Sequence, residues 1–254
     1  MKQGDFTDLA KAYIHRTGYS LTVLSALASY IGAWRTGVEV LDLGAGTGKL
    51  TANLAELGLQ VRAIEPNEAM RAEGQKLVPQ VNWATGSAEE TGLPDNSVDW
   101  LLMGSSFHWT DLPLALAEFA RVLKPGGFFT ALWNPRAIED NELHARIESR
   151  IYAIVPDLKR VSSGSSAFTQ NLDQKLTSTG HFGHLLFMEA PHQVQMTAER
   201  YLGAWRSVND IQAQAGPERF EQIMAAISSE IEGVSLLEVP YRTRAWTVQN
   251  LKRF

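Results

Sequence analysis

Residues 38–50 read VEVLDLGAGTGKL, an apolar run followed by glycine at every second position, and no other stretch of the chain restricts the fold as much. Val38, Val40, Leu41 and Leu43 are β-branched or aliphatic in a short run, the pattern of a strand buried on both faces. Glycine costs conformational entropy and contributes no packing, so Gly44, Gly46 and Gly48 imply a backbone that turns tightly or lies against something bulky. Lys49 to Leu57 reads as a helix. The loop therefore sits at a helix N-terminus, where free N–H groups and the helix dipole favour an anion or a polar ligand.

Spacing narrows the ligand. A phosphate-binding P-loop requires Gly, four residues, then Gly-Lys-Ser/Thr; the residue five before Gly48 is Leu43 and Leu50 follows Lys49, so that pattern fails. The dinucleotide fingerprint places its third glycine where this chain has Lys49, which disfavours a pyrophosphate. QVRAIE at 60–65 then alternates as a second short strand ending in Glu65, about twenty residues past the loop, where a carboxylate accepts hydrogen bonds from ribose hydroxyls.

LDLGAGTG followed by an acidic strand end resembles the class I S-adenosylmethionine-dependent methyltransferases, and the FHW run at 107–109 resembles a subgroup of small-molecule methyltransferases related to trans-aconitate and other carboxylic acid O-methyltransferases. VNWATGSAEETGLPDNSVDWLLM at 81–103 is similar to that family's third strand, adenine loop and fourth strand, and ARVLKPGG at 120–127 to the approach to strand five. The similarity spans residues 36–134. It implies that Asp42, Gly44, Ala45, Gly46 and Gly48 line the methionine end of S-adenosylmethionine, that Glu65 and Pro66 hold the ribose, and that Gly104 and Ser105 border the donor. Many relatives carry Asp after the glycine of the adenine loop. This chain has Gly86-Ser87-Ala88, so Ser87 is expected to accept one uncharged hydrogen bond beside the Ala88 backbone.

The implied fold is α/β: a Rossmann-like, doubly wound, seven-stranded and mostly parallel sheet with an antiparallel last strand and helical lid segments. Residues 1–35 are expected to form an N-terminal helical lid, with Phe6, Leu9, Ala10, Tyr13 and Ile14 at helical spacing. Residues 36–135 form the cofactor-binding core. Residues 136–183 form a helical insertion, with a helix near 140–154 and a Ser/Gly loop at 161–168. Residues 184–254 supply strands at 184–190 and 239–248 and two helices between them, the second starting at Gly216-Pro217. Ligands of such sheets bind outside the carboxyl ends of the strands, where strand order reverses.

His108, in SSFHWTD, falls at the end of strand four, the acceptor side of the implied site. A neutral imidazole there can take a proton from a hydroxyl, a carboxylic acid or an amine; the competing reading is a histidine that only bonds the loop. Phe107 and Trp109 are candidates to face the sulfonium by cation–π attraction, or to pack the core. DNA amino-methylating enzymes carry Asn/Asp-Pro-Pro-aromatic at this place, and Ser105-Ser106-Phe107-His108 departs from it. Tyr13, Arg16 and Tyr19 in AYIHRTGYS resemble a lid segment that folds over the cofactor, although Thr17 stands where relatives often have Pro. Arg16, Arg136 and Arg206 are candidates to bind a substrate carboxylate, and Tyr201 and Trp205 to wall the acceptor pocket. His15, His144, His181, His184 and His192 show no metal spacing, and no metal is expected.

The chain of 254 residues has no cysteine, which excludes disulfides, Cys-ligated zinc and a thiolate nucleophile. A net charge of −5 with no Lys/Arg cluster argues against a nucleic-acid partner. No long apolar run or export signal is present, so a cytoplasmic protein free of the membrane is expected. The expected reaction is O-methylation of a carboxylate or hydroxyl on a small molecule. N- or C-methylation, a non-methylating binder or cyclase, and a nucleotide-dependent oxidoreductase remain as alternatives, and oligomeric state is not legible.

Overall fold

The computed structural model describes residues 7–137, 141–160 and 166–252. A 3-10 turn at Thr7–Leu9 leads into α1 (Ala10–Tyr13), and α2 (Leu21–Ile31) follows. The core then alternates β1 (Val40–Leu43), α3 (Lys49–Glu56), β2 (Val61–Ile64), α4 (Glu68–Leu77), β3 (Asn82–Ala84), β4 (Val98–Gly104), α5 (Leu112–Val122) and β5 (Leu123–Trp133). After it come α6 (Glu142–Ile154), α7 (Ser166–Thr169), α8 (Leu172–Thr177), β6 (Phe182–Thr197), α9 (Ala198–Arg206), α10 (Asn209–Glu230) and β7 (Leu236–Asn250).

The seven strands form one sheet in the order β3-β2-β1-β4-β5-β7-β6. From β1 the chain winds outward through β2 and β3, then returns to the other side of β1 for β4 and β5, so the order reverses between β1 and β4. β7 runs antiparallel to both β5 and β6, which leaves it the one strand opposed to the rest, as the sequence suggested. Every residue of β1 is buried. Val40, Trp100 and Leu102 point to the face covered by Leu24 and Leu27 of α2 and Leu50 of α3, while Leu41, Leu43 and Leu101 point to the face that holds Leu116, Phe119 and Phe129. A third cluster joins Ile147 and Ile151 of α6 to Trp205, Ile223 and Val239, away from the parallel core.

Differences from the sequence expectation lie in the last third. β6 covers sixteen residues rather than the expected stretch at 184–190, and pairs with β7 as far as Thr197↔Leu236. His192, Gln193 and Gln195 break its apolar run, and Pro191 lacks an N–H; such a strand is tolerated because β6 is an edge. Gly216 (φ 74°, ψ 168°), by contrast, is non-helical and breaks the Asn209–Glu230 segment, so the stretch that buries Phe220, Ile223, Met224 and Ile227 starts anew at Pro217 as the sequence suggested. Phe6 and residues 161–165 of the expected Ser/Gly loop lie outside the described residues.

Helix starts follow side-chain capping: Ser20, Asn67, Asp111, Asn141 and Thr197 each accept a backbone N–H three residues on. The strap between α1 and α2 is tied down by Lys49 Nζ donating to the Ile14 carbonyl (2.6 Å), Asn134 Nδ2 to the Gly18 carbonyl (2.8 Å) and Ser20 N–H to Thr243 Oγ1 (2.8 Å). It thereby crosses the carboxyl ends of the strands.

Trp83 fills the space between α3 and α4. A Cβ on Gly74 would enter its indole ring, and one on Gly48 would approach the ring to 3.3 Å at a φ of +80°. Gly→Ala inside a helix ordinarily stabilises by about 1 kcal/mol. At Gly74 the sign should reverse, with overpacking costing about 1–3 kcal/mol in urea unfolding; a stabilised Gly74→Ala would contradict this packing.

Candidate active site

A cavity of about 1020 Å³ opens at the carboxyl ends of β1, β2, β4 and β5, beside the point where strand order reverses. Of the residues expected at the donor, Asp42, Gly44, Ala45, Gly46, Glu65, Pro66, Ser87, Ala88, Gly104 and Ser105 all line it. Gly48 does not; its place is the close packing against Trp83.

The glycine loop is built by what surrounds it. Gly44 has φ +68°, and an added Cβ would meet Ser106 Oγ at 2.9 Å, so only glycine keeps this turn tight. Gly44 and Ala45 both donate to the Ile64 carbonyl, at 2.8 and 3.0 Å. Glu65 accepts Gly46 N–H on one carboxylate oxygen and Asn67 N–H on the other, each at 2.8 Å. Burial raises the Glu65 carboxyl, and those two backbone bonds work against the rise. Asp42 is fully buried; Oδ2 accepts from Thr51 Oγ1 at 2.6 Å, whereas Oδ1 has no hydrogen-bond partner. Burial pushes its carboxyl up to about 7, with the Glu65 charge adding to the effect. Two buried carboxyls on one wall, one with an unused oxygen, suit a ligand that carries a cation beside hydroxyls.

The adenine-loop expectation needs correcting. Ser87 Oγ already accepts the N–H of Glu89 (3.2 Å) and of Glu90 (3.1 Å), closing the turn, so both lone pairs are used. Its hydroxyl hydrogen is what remains for a ligand.

On the other side of the cavity, Tyr19 is buried and donates to Ser105 Oγ at 3.0 Å, and burial raises its phenol. Ser105 holds the left-handed conformation at φ 56°. Arg16 stacks on Tyr13 at 4.1 Å and donates to Ser207 Oγ (2.7 Å) and the Ser207 carbonyl (3.0 Å), which fastens the strap to the end of α9. Trp109 is exposed and lies against His108, with ring centroids 4.6 Å apart. Phe107 is fully buried among Phe119, Phe129 and Phe168 and does not line the cavity, so its core reading holds. His108 Nδ1 accepts from Trp133 Nε1 at 3.4 Å. Burial, with Arg16 nearby, lowers the imidazole to about 4, so it is neutral at pH 7.

Arg136 lines the cavity with its guanidinium 4.2 Å from the Trp205 ring centre and 5.6 Å from that of Tyr201, and no carboxylate pairs with it among the described residues. Trp205 itself is 1 % exposed and core, touching the cavity only through Arg136; Tyr201 is fully buried and likewise absent from the lining. Arg206 instead pairs with Glu221 on the surface at 2.7 Å, outside the site.

Sequence reasoning missed the far chamber. His144, Glu148 and Tyr152 of α6 line it at every fourth position, beside the core stripe of Ile147 and Ile151; that polar stripe was the available signal. Arg160 bridges Glu148 (2.8 Å) and Asp210 (3.3 Å). His144, read from sequence as structural or exposed, is buried, with Nδ1 against Asn141 Oδ1 (3.1 Å) and Nε2 against the Tyr201 hydroxyl (3.2 Å). Burial and then Arg136 lower it to about 4. No cluster of metal-ligating side chains occurs among the described residues.

For both histidines the folded-state value lies below the unfolded one of about 6.5, so between these the unfolded chain binds more protons. Their contribution to stability is present above pH 6.5 and is lost as pH falls toward 4. Urea unfolding between pH 7 and 4.5 should show a shallower loss in the His108→Gln, His144→Gln double variant; an unchanged slope would contradict the burial of neutral imidazoles.

Residues 41–131 match the methyltransferase domain family. An uncharacterised methyltransferase of Mycobacterium tuberculosis is 50 % identical over 98 residues, 39 % of this chain and 40 % of that protein. A ubiquinone/menaquinone biosynthesis C-methyltransferase of Rubrivivax gelatinosus is 38 % identical over 104 residues, 40 % of this chain and 41 % of that one. The chain thus spans about two fifths of the length of these curated relatives. A solved structure described as a type II methyltransferase, from Anaeromyxobacter dehalogenans, superimposes with a TM-score of 0.65 over 94 % of this chain and 99 % of that one at 24 % identity, a likeness of fold. Sequence match, strand order and the cavity at the switch point agree: residues 41–131 are similar to the methyltransferase domain family, and they carry the strands whose ends open into the cavity.

Proposed function

We propose that this protein transfers a methyl group from S-adenosylmethionine to an oxygen, of a carboxylate or a hydroxyl, on a small-molecule acceptor. The observation that carries the reading is the continuity of one cavity from the glycine loop and Glu65 to the chamber lined by His108, Arg136 and His144. The donor, when bound, supplies a methyl group on a sulfonium whose positive charge disappears on transfer. The residues fit it: Asp42, with its unused buried oxygen, would take the cationic methionine end, and Glu65 the ribose hydroxyls. Gly44, Ala45 and Gly46 let the backbone approach closely, and Pro66, Ala88, Gly104 and Ser105 would border the donor.

In this reading residues 36–135 form the donor-binding core. Residues 1–35 and 136–183 cover the site, and 184–254 complete the sheet and acceptor pocket. Tyr13, Arg16 and Tyr19 would close the strap over the donor and exclude water, with Trp109 at the mouth and Arg136 at the acceptor. A closed site favours positioning over covalent chemistry, which is what displacement at a sulfonium needs. A small acceptor accords with a chamber set inside the cavity and with the net charge of −5, which offers no attraction to a nucleic acid. No described helix is long and apolar enough to cross a membrane, and we take the setting to be cytoplasmic.

Calorimetry with S-adenosylmethionine, S-adenosylhomocysteine, NAD and NADP tests the donor. The first pair alone should bind, and Glu65→Ala should weaken that binding by about 2 kcal/mol, roughly 30-fold, the usual cost of losing charged hydrogen bonds. Binding of a nicotinamide cofactor instead would overturn the reading.

A further inference from the structure

We infer that His108 is a hydrogen-bond donor to the acceptor through Nε2–H rather than its base, and that the acceptor presents a carboxylate, ionised before it binds, for which Arg136 is the anchor. This rests on the donor reading above and decides between the two oxygen acceptors it allows.

The first observation is the tautomer. Trp133 is 1 % exposed and its indole N–H can only donate; the partner it finds is His108 Nδ1. Leaving a buried N–H unmade costs about 1–3 kcal/mol. A proton on Nδ1 would set two hydrogens against each other. The neutral ring therefore carries its proton on Nε2, and its one lone pair is already spent. Burial, which holds the imidazole neutral at pH 7, keeps Nε2–H a plain donor.

The second observation is that the carboxylates and the second histidine lining the cavity already hold partners among the described residues. Glu148 and Asp210 are paired with Arg160. Glu65 accepts two backbone N–H groups, and Glu89 accepts that of Asp111. His144 Nε2 faces the Tyr201 hydroxyl. Asp42 has a free oxygen, but it sits at the end of β1 under the glycine loop, the donor end of the cavity. A nucleophile that must lose a proton on the enzyme would have to give it to a group already engaged in one of these contacts. A carboxylic acid, ordinarily ionised above about pH 5, needs no such group.

The third is charge. Arg136 reaches the same cavity with its guanidinium carbon 4.2 Å from the Trp205 ring centre and pairs with no carboxylate among the described residues. A guanidinium whose contact with the protein is an aromatic ring keeps its N–H donors for a ligand, and its fork of donors can bind a carboxylate through two parallel hydrogen bonds. In the step itself a carboxylate oxygen gains the O–CH₃ bond while the S–CH₃ bond breaks and its electron pair stays on sulfur. Anion and sulfonium are both neutralised, and no proton moves.

Two measurements test this, and neither depends on turnover. Long-range ¹⁵N–¹H correlation spectra at pH 7, with His108→Gln for assignment, should show His108 protonated at Nε2 and bare at Nδ1. A proton on Nδ1, or a titration midpoint between pH 6 and 7, would overturn the donor role. Calorimetry of phenylacetate and octanoate against 2-phenylethanol and octanol, with and without saturating S-adenosylhomocysteine, should show each acid binding at least about tenfold tighter than its alcohol. Arg136→Gln should abolish that preference. No preference, or one indifferent to Arg136→Gln, would overturn the anchor. Failure of S-adenosylhomocysteine to bind would sink the donor reading alone, since the spectra and the ligand-free titrations stand apart from it.

Discussion

A buried carboxylate, Glu65 at the end of β2, accepts the N–H of Gly46 with one oxygen and that of Asn67 with the other. The first bond fixes the glycine loop after β1, and the second fixes the residue that caps α4. Two adjacent strand ends are thereby locked to one side chain that is 7 % exposed. A carboxylate this buried is tolerable only while its oxygens are occupied, so the loop holds the acid as much as the acid holds the loop. Asp42, at the end of β1 one strand over, repeats the arrangement incompletely: Thr51 occupies one oxygen and nothing occupies the other. The rim is built around negative charge that the fold itself does not fully satisfy.

The acceptor side is organised by different forces. Asn134, at the end of β5, joins the strap to the long antiparallel pair. It donates to the Gly18 carbonyl, while its Oδ1 takes the Thr243 hydroxyl at 2.7 Å and faces His192 Nε2 at 2.9 Å. Above it, β6 and β7 extend well past the parallel strands, and their far ends support α6, α9 and α10 through a separate apolar cluster. The chamber is the gap between that cluster and the strand ends, with Arg136 at the junction. Much of its polar lining, His144, Glu148 and Tyr152, comes from a helix that the parallel sheet does not fix.

This division explains how much was readable in the sequence. The donor side depends on short-range signals: glycines where a side chain would collide with Ser106 or Trp83, and an acid at a strand end. Asp42, Gly44, Gly46 and Glu65 could each be read from local spacing and family resemblance. Ser87 was misread because its engagement with the N–H groups of Glu89 and Glu90 depends on how the turn closes. The full length of β6 was missed because an edge strand with Pro191 and three polar side chains lacks an apolar run. Arg206 was offered as a site residue on residue type alone, and only tertiary geometry separates it, paired with Glu221, from Arg136 on Trp205.

The measurement that bears most directly on the unsatisfied rim is the proton balance of S-adenosylhomocysteine binding at pH 7, taken by calorimetry in two buffers of different ionisation enthalpy. Burial holds the Asp42 carboxyl near 7, so it is about half protonated at that pH. A cationic ammonium placed beside it would draw its value down and expel up to about half a proton per molecule bound, a release that Asp42→Asn should remove. Proton uptake, or a balance unchanged by Asp42→Asn, would mean that the cationic end of the donor does not meet this carboxylate.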